Sequence, residues 1–170
     1  VCVMKHRAFI GLGSNMVNPS SQVRQAMQSI DQLPETRVLA RSALYRSAPV
    51  GYMEQPDFIN AVVQVETELA PRDLLQALLE LEQQQGRTRE FLNSPRTLDL
   101  DILLYGDQAV NLPHLHIPHP RIHERNFVLL PLFDLAPDLA LPNGQRVRDL
   151  LQLCSKDGIW LLEDTHTGER

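Results

Sequence analysis

Apolar positions change their spacing along this chain, and each change marks an element. Residues 8–12 form an uninterrupted apolar run that stops at Gly13-Ser14-Asn15, which predicts a short buried strand. Pro19-Ser20-Ser21 opens a stretch in which Val23, Ala26, Met27 and Ile30 recur with the helical period. A second strand is expected over residues 37–45. Residues 47–57 carry Pro49, Gly51 and Pro56 and read as loop. Strict alternation returns over residues 58–66, with Ile59, Ala61, Val63 and Val65 on one face and Phe58, Asn60, Val62 and Gln64 on the other.

The second half repeats the theme. Pro71 suits a first helical turn, and Leu74, Leu78 and Leu81 supply a buried stripe that Gly86 ends. Residues 87–97 have no period. Residues 98–105 predict a strand with Leu98, Leu100, Ile102 and Leu104 facing the core, and residues 114–120 a Pro- and His-rich loop. Helices over 121–134 and 146–153 follow, then a strand over 158–162 and a frayed tail over 163–170. Strands mixed with helices and joined by short connections predict an α+β fold with an antiparallel or mixed sheet.

With 170 residues and no repeat or linker, one domain is expected over 1–170, its core about 7–162. The net charge of −5 argues against a general nucleic-acid or anionic-membrane binder, while leaving room for a local basic pocket. Cys2 and Cys154 lack zinc-type spacing and read as reduced thiols of a cytoplasmic protein. No apolar run is long enough for a membrane span, and residues 1–7 are too short and polar for a secretory signal. The chain begins with Val1, so a start at Met4 is one possibility.

The chemistry concentrates in Pro95-Arg96-Thr97-Leu98-Asp99-Leu100-Asp101. On a strand, Asp99 and Asp101 share a face with Cα atoms about 6.5–7 Å apart. Two carboxylates so placed can bracket Mg²⁺ ions for in-line phosphoryl displacement. A solvated strand face is the bland alternative; the otherwise apolar strand and the adjacent Arg96 favour metal. Arg87, Arg89 and Arg96 flank the aperiodic stretch, and Arg121 and Arg125 follow it, as bidentate phosphate ligands would. His114, His116, His119 and His123 also raise zinc, but Pro118 and Pro120 break the helix that would align the last two. Phe58 and Asn60 could stack on and hydrogen-bond a flat heterocycle, or equally serve core and strand edge. Gly11-Leu12-Gly13-Ser14-Asn15-Met16 is neither a phosphate-binding P-loop nor a dinucleotide fingerprint.

Taken in order, Gly11 to Asn15, Tyr45-Arg46-Ser47, Asp57 to Asn60, Glu82 with Gly86-Arg87-Thr88-Arg89, Pro95 to Asp101, and Ile117 to Arg121 leading to Glu124-Arg125-Asn126-Phe127 resemble the 6-hydroxymethyl-7,8-dihydropterin pyrophosphokinases of folate biosynthesis. The resemblance implies a ferredoxin-like sandwich and transfer of pyrophosphate from ATP to the pterin hydroxymethyl group. It implies two Mg²⁺ on Asp99 and Asp101, with Arg87 and Arg96 acting on the transferring group. ATP would meet Leu75, Glu82, Arg87, Arg89, Arg96, Ile102, Leu115, His116, His119 and Arg125. The pterin would lie between Phe58 and Phe127 and bond to Asn60, Ser47 and Val50. A monomer acting on small molecules alone is expected. Where many members carry a Trp-Gly pair, this chain has Asn93-Ser94, so Phe91 is the candidate to seal a closing 87–97 lid. A two-metal phosphohydrolase and a silent nucleotide-binding domain are the competing readings.

Overall fold

The computed structural model describes residues 5–15, 18–47, 57–86, 98–120, 122, 125–154 and 159–163. Strand β1 (His6–Ser14) leads to helix α1 (Pro19–Asp31), then to β2 (Thr36–Arg41), β3 (Leu44–Ser47) and β4 (Phe58–Thr67). Helix α2 (Pro71–Leu81) runs into a π turn, Glu82–Gly86, ahead of β5 (Leu98–Tyr105). A hairpin of β6 (Val110–Leu112) and β7 (Leu115–Ile117) precedes α3 (Asn126–Leu135), α4 (Val147–Leu153) and β8 (Ile159–Glu163).

The main sheet has the order β5-β1-β4-β3-β8, with β2 also on β4, and its neighbours are antiparallel. With β2 and β3 taken as one interrupted strand, the first six elements follow the β-α-β-β-α-β path of a ferredoxin-like sandwich. The expected α+β antiparallel architecture is present.

Alternation on β1, β4 and β5 produces two apolar faces. Ala8, Ile10, Leu12, Ile59, Val63, Val65, Leu98, Leu100 and Ile102 pack with Val23, Ala26, Met27 and Ile30 of α1 and Leu74 and Leu78 of α2. Phe9, Val62, Leu103 and Leu104 pack on the opposite side with Val128, Leu129 and Leu132 of α3 and Val147, Leu150 and Leu151 of α4. The helical stripes expected for α1 and α2 are therefore the buried ones, with Leu81 partly buried at the end of its stripe.

Five local expectations change. The strand expected over 37–45 is split, because four steps from Arg41 to Tyr45 oppose three from Val63 to Asn60. Ser42 absorbs the extra residue: its N–H donates to Val62 O and its Oγ accepts from Val62 N, each at 2.9 Å. A second bulge sets two residues of β5 against one of β1, since Phe9 opposes Leu104 while Ile10 opposes Ile102. Leu104 is thereby turned to the α3 side, away from the face predicted for it. The loop expected over 114–120 contains β7, because Pro113-His114 turns the chain and lets Leu115 and Ile117 bury at alternate positions. Helix α3 begins at Asn126, later than the expected 121, and Ser47 is the last residue of β3. Among the described residues no helix is long and apolar enough to cross a membrane.

Candidate active site

Helices α3 and α4 leave part of their sheet face uncovered. There β1 contributes no side chain, since its positions on that face are Gly11 and Gly13. The result is a cleft of about 260 Å³ lined chiefly by Gly11, Gly13, Ser47, Phe58, Asn60, Asp99, Asp101, Leu103, Arg125 and Phe127. Seven of these, Ser47, Phe58, Asn60, Asp99, Asp101, Arg125 and Phe127, are candidates from the sequence.

Strand register dictates how they sit. Gly13 opposes Asn60 of β4 on one side and Asp99 of β5 on the other. One register step on, Gly11 lies between Val62 and Asp101. Strands are about 4.8 Å apart, so Asn60 and Asp99 face one another across roughly 10 Å of bare glycine backbone. A methyl at Gly13 would stand 3.0 Å from Asn60 Oδ1 and 3.9 Å from Phe58 Cδ2. Glycine is needed there for space, and its backbone is ordinary for a strand.

The β4 side is apolar and hydrogen-bonding together. Asn60 is buried, and its Nδ2 donates to Ser47 Oγ at 2.6 Å. The antiparallel pairs Ser47↔Phe58 and Tyr45↔Asn60 bring these two side chains onto the same face. With its amide nitrogen engaged, Asn60 presents Oδ1 along the glycine floor, where a ring N–H could meet it. Phe127 is on the first turn of α3 and Phe58 on the first residue of β4, so the two rings belong to different layers around one opening.

The β5 side is acidic and its two carboxyls differ. Asp99 is exposed and Asp101 is half-buried. Burial raises the Asp101 carboxyl above the ordinary 3.8, and the Arg125 guanidinium works in the opposite direction. Arg125 is the N-cap of α3, its carbonyl accepting from Val128 and Leu129 N–H, so a cation and the positive end of a helix both border the acid pair. Its guanidinium carbon also stands 5.6 Å from the Phe127 ring centroid. A half-desolvated carboxyl beside a second one is a hard-oxygen donor set with a use for a divalent cation. Mg²⁺ accepts one or two carboxylates when substrate oxygens complete its shell. Among the described residues no group of three or more His, Cys, Asp or Glu forms a metal cage unaided.

Other sequence candidates lie outside this lining. Ile102 and Leu115 are buried in the core on the α1–α2 side, and Leu75 packs on that core. His116 is exposed on β7, and the His119 N–H donates to Leu103 O. Glu82 Oε2 accepts a hydrogen bond from Leu100 N at 2.7 Å. Val50, Arg87, Arg89, Arg96, Arg121 and His123, with the proposed 87–97 lid and Phe91, fall outside the described residues. In the sequence Gly11 and Gly13 read as the end of a strand and as part of the first family motif, with no site role of their own. Their signal as site residues was the absence of side chains on one face of an otherwise apolar strand.

A family model described as 7,8-dihydro-6-hydroxymethylpterin-pyrophosphokinase matches residues 9–137. A Pseudomonas aeruginosa 2-amino-4-hydroxy-6-hydroxymethyldihydropteridine pyrophosphokinase is 49% identical over 156 residues, covering 92% of this chain and 96% of the relative. A Haemophilus influenzae protein of the same name is 46% identical over 145 residues, covering 85% and 91%. The Schizosaccharomyces pombe folic acid synthesis protein fol1 is 39% identical over 155 residues, which is 91% of this chain and 21% of that one. Among solved structures, a Plasmodium falciparum HPPK-DHPS shares the fold with a TM-score of 0.69 at 15% identity over 88% of this chain. This chain spans 45% of the length of that protein.

Proposed function

The chain belongs to the 7,8-dihydro-6-hydroxymethylpterin-pyrophosphokinase family, and from that premise we propose how its cleft carries out the transfer of pyrophosphate from ATP to 6-hydroxymethyl-7,8-dihydropterin. The observation that carries the reading is the row Asn60–Gly13–Asp99. It puts a buried amide suited to a flat polar ring and a carboxylate suited to a phosphate-bound cation on one face, separated by a floor without side chains. A bicyclic ring with a one-carbon arm can lie along that floor with its arm at the acid pair.

The pterin stacks between Phe58 and Phe127, and Asn60 Oδ1 accepts from its ring edge while Ser47 holds the amide in that orientation. Asp99 and Asp101 would hold two Mg²⁺, which would supply charge neutralisation on the phosphates and a lowered pKa for the attacking hydroxyl. Arg125, joined by Arg87 and Arg96, pairs with phosphate oxygens and stabilises the charge that builds on the transferring group. The hydroxymethyl oxygen forms a bond to the β-phosphorus as the bond from that phosphorus to the α–β bridging oxygen breaks, and AMP leaves. The reacting atoms are brought together by two rigid strands, β4 and β5, which the glycine strand β1 joins by backbone hydrogen bonds. Glu82, Leu75, Arg89, Ile102, Leu115, His116 and His119 complete the ATP side and Val50 the pterin side. The enzyme is read as a cytoplasmic monomer of one domain.

Incubation with ATP, Mg²⁺ and the pterin tests this. Equimolar AMP and pterin diphosphate are expected. ATP hydrolysis without the pterin would support the phosphohydrolase instead, and absence of turnover would support a silent nucleotide-binding domain. The ring-binding half of the cleft favours the transferase, because water as acceptor has no use for Phe58 and Asn60.

A further inference from the structure

Strand β5 ends the strand order among the described residues. Backbone groups on its outer side therefore point to where another strand would lie, and an edge of this kind needs a partner. Leu100 is at that edge, between the two aspartates. Its N–H donates to Glu82 Oε2 at 2.7 Å in a part-buried setting. Glu82 opens the π turn after α2, and α2 is seated in the core through Leu74 and Leu78. A carboxylate acceptor makes this a charge-assisted hydrogen bond, stronger than a neutral one.

The bonded N–H belongs to the peptide joining Asp99 to Leu100. Holding that plane restrains ψ of Asp99 and φ of Leu100, two of the four torsions that set the angle between the directions in which the Asp99 and Asp101 side chains leave the strand. We propose that Glu82 is a positioning residue for the acid pair: it acts through the Leu100 peptide to hold Asp99 and Asp101 at the separation that binds divalent cations with ATP. This gives Glu82 a role through β5, and it rests on the reading of Asp99 and Asp101 as metal ligands. The same turn ends at Gly86, immediately before Arg87, so one short segment fixes the acid pair and launches the arginine-bearing stretch.

The test uses the full chain and the variants Glu82→Ala, Glu82→Gln and Glu82→Asp. Mn²⁺ binding is followed by electron paramagnetic resonance with an unreactive ATP analogue present, alongside the Mg²⁺ dependence of turnover, the pterin KM and hydrogen exchange at the Leu100 amide. Glu82→Ala is expected to weaken Mn²⁺ binding about tenfold, the scale of one hydrogen bond to a charged group. It should raise the Mg²⁺ requirement alike, deprotect Leu100 and leave the pterin KM unchanged. Glu82→Gln keeps an acceptor oxygen at the same reach and should stay within about threefold of the parent. Glu82→Asp keeps the charge but falls a methylene short, and should resemble Ala. If Ala fails to fold, the Gln and Asp pair still decides the matter. Wild-type-like Mn²⁺ binding in Ala or Asp, or a Gln variant as impaired as Ala, overturns the proposal. Parent protein that binds no Mn²⁺, or Asp101→Asn that binds it normally, overturns the metal assignment beneath it.

Discussion

Substitution of Gly13 by Ala isolates what the glycine floor does. Its backbone tolerates a side chain, so the perturbation is the methyl itself, which meets Asn60 Oδ1 at 3.0 Å. That contact is tighter than van der Waals by a few tenths of an ångström, and Asn60 cannot swing away freely because Nδ2 is bonded to Ser47 Oγ at 2.6 Å. Either that buried bond lengthens or Oδ1 turns from the floor, and in both cases the pterin edge loses its acceptor. Leaving one buried polar group unpaired costs about 1–3 kcal/mol, which is roughly five- to 150-fold in pterin affinity. Folding stability should change little, because the strain is offset by about 0.4–1 kcal/mol gained from restricting the unfolded chain. Gly11→Ala is the control: the nearest atoms its methyl meets are Leu103 side-chain carbons at 3.3–3.5 Å, which can shift. Calorimetric titration of pterin in the presence of an unreactive ATP analogue, with a separate ATP titration and thermal melts, reads all three effects. Normal pterin affinity in Gly13→Ala would refute the floor as the ring's bed, and equal loss of both ligands with a lowered melting temperature would show a folding defect instead.

Asp101→Asn should reduce turnover by at least about a hundredfold, on the order of 3 kcal/mol of transition-state stabilisation, and a near-normal rate at modest Mg²⁺ would contradict the metal assignment. The same variant reports on pH: burial raises the folded-state pKa above 3.8, so the folded protein binds this proton more tightly and the group's contribution to stability falls as pH rises through that raised value. The melting temperature of Asp101→Asn relative to the parent, without metal, should therefore climb from acid to neutral pH, and a pH-independent difference would refute it. Phe58→Ala should cost about 1 kcal/mol in pterin binding with ATP binding intact, and equal losses by calorimetry would count against stacking. Tyr45→Phe removes the 2.7 Å bond from Tyr45 OH to Asp134 Oδ2 that ties α3 to β3, and chemical denaturation should show a loss of about 1–2 kcal/mol; an unchanged midpoint would mean that the bond is replaced.

Periodicity alone determined the elements that bury one continuous stripe. Val23, Ala26, Met27 and Ile30 on α1 and Ile59, Ala61, Val63 and Val65 on β4 needed no partner to be recognised, because a helix or strand with one apolar edge has a single way to hide it. The same logic placed Asp99 and Asp101 together on one strand face, and motif order placed the family. Tertiary structure decided whatever depends on registration between distant segments. The bulges at Ser42 and near Leu103 arise from unequal residue counts on paired strands, so neither strand carries them by itself. Leu104 changed face for that reason, and β7 formed because β6 was present to pair with it. The row Asn60–Gly13–Asp99 joins three strands distant in sequence, and its central member has no side chain to advertise a role. Glu82 and Leu100, 18 residues apart, meet because α2 packs beside β5, the last strand of the sheet among the described residues. A residue's own chemistry is written in the sequence. The backbone hydrogen bond that aims it is settled when the chain closes on itself.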